Sequence, residues 1–182
     1  MPRDAFCHAC GAPFSDTSRY PRRCAQCRTE VWANPIPVTI ALVPVLDGAR
    51  TGLLVVRRAI QPQLGKLGLV GGFLEDHESW TEGAARETRE EAGVRIDPST
   101  ITPLWFSSSA PRPNRVLLFG VAACIDVATL PPFVPSSEAS ERGLVYGPSG
   151  LEDVFAFGLH VEAARRWMHA QSIVGPHDYR VR

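Results

Sequence analysis

Apolar residues fall in short runs bounded by turn residues, which is the pattern of strands more than of long helices. Val38 to Leu46 is one such run and stops at the turn pair Asp47-Gly48; Gly52 to Arg58 is the next. Leu67 to Val70 predicts a shorter strand. Ile101 to Ser109 and Arg115 to Asp126 are rich in β-formers and are separated by a proline-rich turn around Arg112. Leu144 to Tyr146 is a weaker strand candidate. Two segments have helical character. One starts at Ser79, with Glu82 three residues on in capping-box spacing, and stops at Gly93. The other, Glu162 to Ala170, carries Ala163, Ala164, Trp167 and Met168 as a packed side. There is no internal repeat. This order predicts an α/β fold with a mixed sheet flanked by helices.

Composition sets bounds. A chain of 182 residues has room for one ordinary domain and a small appendage, and 45% apolar content supports a sizeable core. Lys plus Arg and Asp plus Glu both number 19, so net charge draws the protein neither to nucleic acid nor to an anionic membrane. No apolar run approaches the ~18 residues that would span a bilayer, and the opening MPRDAFCHAC has no apolar signal region. The expectation is a cytoplasmic protein. Sixteen prolines imply long, stiffened loops.

Cysteine spacing changes the picture at the N-terminus. Cys7-x2-Cys10 and Cys24-x2-Cys27 are two knuckles that can surround Zn2+ with four thiolates, a closed structural site. Disulfides are the alternative, disfavoured in a reducing compartment. A segment this small cannot build its own core, so metal would supply its stability. The organisation expected is a zinc ribbon at 1–34 and a larger domain at 35–182. Arg19, Arg22, Arg23 and Arg28 make the ribbon locally basic, which reads as a solvated surface without a nucleic-acid partner. Cys124, in an apolar run, is expected to be buried.

The strongest chemistry lies between Gly72 and Val94, GFLEDHESWTEGAARETREEAGV. On a helix, Glu87 and Glu91 share a face and Glu90 borders it. Carboxylates crowded in this way repel one another and suit a hard divalent cation with oxygen ligands, Mg2+ or Mn2+. Beside them Thr81, Ala84, Ala85, Thr88 and Ala92 form a small-residue stripe that would let the helix lie close to a sheet. A solvated helix with Arg–Glu pairs is the plainer alternative.

The spacing resembles the Nudix box, G-x5-E-x7-R-E-U-x-E-E-x-G-U with U a bulky apolar residue. Gly72, Glu78, Arg86, Glu87, Glu90, Glu91, Gly93 and Val94 fall in register, and Thr88 stands where an apolar residue is usual. The resemblance implies an α/β/α sandwich and a pyrophosphohydrolase. It implies metal held by Glu87, Glu90, Glu91 and the carbonyl of Gly71 or Gly72, with Glu90 as third ligand or base. Arg86 would hold Glu78 or Glu90 in place. A base from a later loop would be Glu138 or Glu141. Phosphate contacts are expected from Arg57, Arg112 or Arg115, and a stacking ring from Phe73, Trp105, Phe106 or Tyr146.

The ribbon, the WANP connector, RRAIQP at 57–62, LGLVGGFLE and AFGLH together are similar to the ribbon-bearing Nudix branch, which includes hydrolases of NADH, ADP-ribose and FAD. The Ser-Gln-Pro-Trp signature of NADH pyrophosphatases is replaced by SSSAPRPN at 107–114. The function implied is cleavage of a nucleoside diphosphate linked to another moiety. The alternatives are a pyrophosphohydrolase of oxidised nucleoside triphosphates and a non-hydrolysing sensor. The partner expected is a small nucleotide, and a homodimer is compatible with the same reading.

Overall fold

In the computed structural model, which describes residues 5–110 and 114–182, the chain divides into two compact units, Met1–Pro35 and Ile36–Arg182. In the first, β1 (Arg22–Arg23) pairs antiparallel with β2 (Glu30–Val31). Each cysteine knuckle closes in a tight turn, with Gly11 N donating to Cys7 O and Arg28 N to Cys24 O. Both turns end in the left-handed region, Gly11 at φ 73° and Arg28 at φ 64°. Arg22 departs from the expected solvated cluster. It is buried with its guanidinium 4.0 Å from the Tyr20 ring, where aromatic stacking replaces hydration.

The second unit carries ten strands and three helices among the described residues. The strands are β3 (Ile36–Leu42), β4 (Pro44–Asp47), β5 (Arg50–Arg58), β6 (Leu67–Gly68), β7 (Val70–Phe73), β8 (Thr102–Ser108), β9 (Arg115–Val121), β10 (Ile125–Asp126), β11 (Ala139–Tyr146) and β12 (Asp178–Val181). The helices are α1 (Trp80–Ala92), α2 (Leu151–Val154) and α3 (Gly158–Ala170). One sheet runs β7-β3-β9-β8; the other runs β10-β4-β5-β11-β12 with β6 also on β5. β3 with β9 and β10 with β4 are parallel, and the remaining ladders are antiparallel. The expected mixed sheet is therefore present as two sheets. The single run read at Val38 to Leu46 changes sheets at Val43, between β3 and β4.

Alternation along the strands explains why these runs are apolar throughout. Ile40 and Leu42 of β3, with Leu53 and Val55 of β5, join Trp167 and Met168 of α3 in one core cluster. The intervening Ala41, Val43, Leu54 and Val56 join Ala84 and Ala92 of α1 in a second. Strands covered on both faces need no polar side. Cys124 is a correction: it lies between β9 and β10 and is exposed, because the apolar run breaks after Val121.

Candidate active site

Close backbone approach sets the site. β7 runs beside β3, with Gly71 opposite Ile40 and Gly72 opposite Thr39. A Cβ on Gly71 would lie 2.3 Å from Thr39 O, and one on Gly72 would lie 2.3 Å from Glu87 Oε1. Only glycine lets the helix carboxylate rest against the strand. α1 begins at a complete capping box: Ser79 Oγ accepts from Glu82 N, and the Glu82 side chain accepts from Ser79 N. It ends at Gly93 in the left-handed region, φ 71°. Thr39 Oγ1 donates to Trp80 O at 2.7 Å, tying the first turn of the helix to β3. Ala84, Thr88 and Ala92 are buried, and Thr88 hides its hydroxyl by donating to Ala84 O at 2.7 Å. That bond is how a threonine replaces an apolar residue here without an unpaired group.

Arg86 organises the acidic face. Its Nε and Nη2 donate to the two Glu78 oxygens at 3.0 and 2.7 Å. Nη1 donates to Glu87 at 2.8 Å and to Glu90 at 3.0 Å, and Nη2 also reaches Phe73 O at 2.9 Å. Glu78 is held below the usual carboxylate range by the Arg86 bond. Glu87 is pushed up, first by burial and also by the charges of Glu90 and Glu138, against the pull of Arg86. Glu91 rises to about 7, mainly through burial and further through Glu87 and Glu138; Gly71 N, donating at 3.0 Å, and Arg58 oppose this. Glu91 thus feels the charges of Glu87 and Glu138, and Glu87 those of Glu90 and Glu138. Glu90 is exposed at the border, paired with Arg86 and Arg89.

These carboxylates fit a divalent cation by donor chemistry: hard oxygens, partly desolvated and like-charged, beside glycine backbone. They do not converge tightly on their own. Among the described residues, only Cys7, Cys10, Cys24 and Cys27 bring three or more ligand atoms within 4.8 Å of one another. For those four, the Cys7–Cys27 and Cys10–Cys24 sulfurs stand 3.6 Å apart and all are free thiols. A tetrahedron of sulfurs about 2.3 Å from a central zinc has edges of roughly 3.8 Å, so this set fits Zn2+. The Thr29 hydroxyl and N–H beside Cys27 hold its thiol down at about 6, which favours the thiolate form.

Other expected residues fall in varied places. Arg57 is committed to Glu141, its Nε donating at 2.8 Å, and to Gly65 O at 2.9 Å. Glu141 also accepts from Tyr179 at 2.6 Å, so both are structural partners here. Tyr146 is buried, with its hydroxyl on Asp47 at 2.6 Å, and Trp105 stacks on Phe119 at 5.3 Å. Phe73 and Phe106 are exposed, and Arg115 stands 5.8 Å from the Phe73 ring. Arg112 lies outside the described residues. Two residues were missed. His160 is buried and accepts from Leu69 N at 3.1 Å, anchoring the chain just before the glycines. Arg58 acts on the Glu91 charge. The only signal for Arg58 was its place beside Arg57 at the end of a strand.

Comparisons with known proteins agree with this fold. The NUDIX domain profile matches residues 35–145. The NAD-capped RNA hydrolase NudC of Deinococcus radiodurans is 30% identical over 115 residues, covering 62% of this chain and 39% of that relative. The match thus spans well under two thirds of the relative's length. A NUDIX hydrolase from Nitrosomonas europaea has the same fold, with a TM-score of 0.68 at 24% identity, covering 94% of this chain and 96% of that one. The NUDIX domain of Shewanella oneidensis NrtR, solved with ADP ribose, superposes with a TM-score of 0.63 at 17% identity over 77% of this chain and 90% of that one. With the box residues in register on a glycine strand and a capped helix, and the profile covering more than half of its length, the chain belongs to the Nudix family.

Proposed function

We propose that this protein is a metal-dependent hydrolase of the pyrophosphate bond in a nucleoside diphosphate linked to another moiety, with ADP-ribose, FAD or NADH as the substrates to expect. The observation that carries this reading is the pair Glu87 and Glu91, two carboxylates withdrawn from water on one face beside Glu138. A solvated salt-bridge helix would not bury them, and a sensor would not need all three. Glu87, Glu91, Glu90 and the Gly72 carbonyl are assigned to Mg2+ or Mn2+, and Cys7, Cys10, Cys24 and Cys27 to structural Zn2+. The bound divalent cation would neutralise phosphoryl charge and acidify a water. Arg86 holds Glu78, Glu87 and Glu90 in place and leaves the substrate to others. Glu138, whose charge reaches both Glu87 and Glu91, is assigned the proton of the attacking water. Phe73, exposed directly after Gly72 with Arg115 near its ring, offers a platform for a base.

NADH is not expected to be strongly preferred. Residues 107–114 carry three serines, two prolines and Arg112, which offer hydroxyls and a charge but no aromatic platform. The named activity of the Deinococcus relative and the ADP ribose bound to the NrtR domain support a dinucleotide-like ligand over a triphosphate. The test is a panel of ADP-ribose, NADH, FAD, NAD-capped RNA and dNTPs with Mg2+ or Mn2+, with product analysis. Dinucleotide cleavage yields AMP and a second phosphate ester; release of pyrophosphate from a triphosphate would overturn the reading, and binding without turnover would make the protein a sensor.

A further inference from the structure

One buried cation lies where the catalytic helix ends and the loop of Glu138 begins. Arg142 is 2% exposed, and burial lowers its pKa, so its charge is kept from water at some cost to stability. Its guanidinium meets backbone oxygen on three sides. Nη1 donates to Ala92 O at 2.8 Å, Nη2 to Pro131 O at 2.7 Å and Nε to Arg182 O at 3.2 Å. These partners lie 50, 11 and 40 positions away along the chain. An apolar side chain of similar volume would fill the space without a desolvated charge. It could not hold carbonyls from three separate segments in one planar fork, which is what a guanidinium supplies.

Two of those segments carry the site. Ala92 is the last residue of α1, directly after Glu91, and its carbonyl is among those a helix leaves open at its end. Pro131 opens the run PPFVPSSE, which ends at Glu138. Three prolines in its first five residues fix φ, so the run is stiff and its anchored start constrains where it emerges. The Phe133 ring lies 5.6 Å from the guanidinium and packs on the core cluster of α1. At the far end Ser136 Oγ accepts from Glu138 N at 3.2 Å and from Ala139 N at 3.1 Å. The β11 ladder shifts register between Ala139 and Glu141, which separates Glu138 from the regular part of the strand. Regular pairing beyond that shift therefore does not aim Glu138, and the anchored run contributes to its placement.

We propose that Arg142 is a positioning residue for the hydrolysis: by tying Ala92 O to Pro131 O it sets Glu138 against Glu87 and Glu91. This rests on the hydrolase reading above, including Glu138 as the base, and names what places that base. Arg142 touches neither substrate nor metal and acts only through the two segments it joins.

The test is a double-mutant cycle. Wild type, Arg142→Met, Glu138→Gln and the double variant are compared with Mg2+, well below their melting temperatures, on whichever compound of the panel wild type cleaves fastest. Displacing the base by on the order of 1 Å predicts a kcat lower by about 10- to 100-fold in Arg142→Met, with KM changed by less than about threefold. With glutamine already at position 138, the same substitution should cost less than about twofold, because the group it misplaces is gone. Loss through unfolding or general loosening lowers activity by the same factor whichever residue stands at 138, so equal losses in the two backgrounds overturn the proposal. Wild-type kcat in Arg142→Met overturns it as well. So does wild-type turnover in Glu138→Gln, since Arg142 would then have no base to place. If Arg142→Met does not fold, Arg142→Lys, which keeps the charge but not the planar fork, carries the same cycle under the same criteria. A wild type that cleaves nothing in the panel removes the hydrolase reading and this role together, whereas intact wild-type turnover with equal losses removes the role alone.

Discussion

At the scale of single residues, Glu91 shows how a carboxylate suited to a metal conflicts with the fold that carries it. Burial raises its carboxyl to about 7 from an ordinary 4.5, so keeping it ionised above neutrality costs stability in the metal-free protein. Replacing it with glutamine keeps the shape and removes that charge. Glu91→Gln is expected to be more stable than wild type by about 2 kcal/mol at pH 8 without metal. It should lose nearly all turnover, with substrate affinity far less affected. Added Mn2+ should raise the melting temperature of wild type and leave the variant unmoved. Thermal melts with and without Mn2+ check this; a variant that is as active as wild type and equally stabilised by the ion would show that Glu91 is not a ligand.

Elements came through the sequence unevenly, for physical reasons. α1 was legible from Ser79 to Gly93 because its cap residues act locally, through bonds made within four positions. β3 and β5 were legible because strands buried on both faces are apolar through their centres, and β9 because it is rich in β-formers. β11 was legible only at its apolar end. Its first half, Ala139–Gly143, contains Glu141 and Arg142, whose polar groups are satisfied by distant partners. Arg142 is buried with its guanidinium on the carbonyls of Ala92, Pro131 and Arg182, and no local pattern announces bonds to such remote residues. β12 was missed for the same reason, being a short polar strand fixed by its pairing with β11. The site was legible where it follows helical spacing and opaque at Arg58, which β5 sets opposite Ala139 of β11. The capping box gives this scale its test. Ser79→Ala removes the acceptor for Glu82 N and should cost about 1 kcal/mol, read as a lower urea midpoint with activity retained at low temperature. A change below a few tenths would mean that packing of Ala84, Thr88 and Ala92 alone sets the helix start.

Across the whole molecule, each unit is stabilised in its own way, and two measurements separate them. The first unit has little core, and its four cysteines stand ready for a metal, so purified protein should carry about one zinc per chain. Chelation should release four reactive thiols in Met1–Pro35; absence of both zinc and free thiols would instead favour disulfides.

The second unit depends on His160, which joins α3 to the chain ahead of β7 by accepting from Leu69 N. Accepting requires a neutral ring, and burial, with Arg58 adding to it, lowers its pKa from an ordinary 6.5 to about 4. The sign follows from linkage. Above pH 6.5 both folded and unfolded chains hold a neutral ring, so the full stability is present. As pH falls toward 4, the unfolded chain takes a proton that the folded chain refuses, and up to about 3 kcal/mol is lost. Glu91 works in the opposite sense between its ordinary 4.5 and about 7, since its folded form holds a proton that the unfolded form gives up. Wild type alone would therefore show a blunted slope. The comparison that isolates the histidine is His160→Asn, whose amide oxygen can accept from Leu69 N at every pH. Urea midpoints of wild type and variant should differ least near pH 4.5 and shift in wild type's favour by pH 7. Parallel pH profiles would show that His160 takes its proton at the same pH in the folded chain as in the unfolded one, so that burial does not hold it neutral.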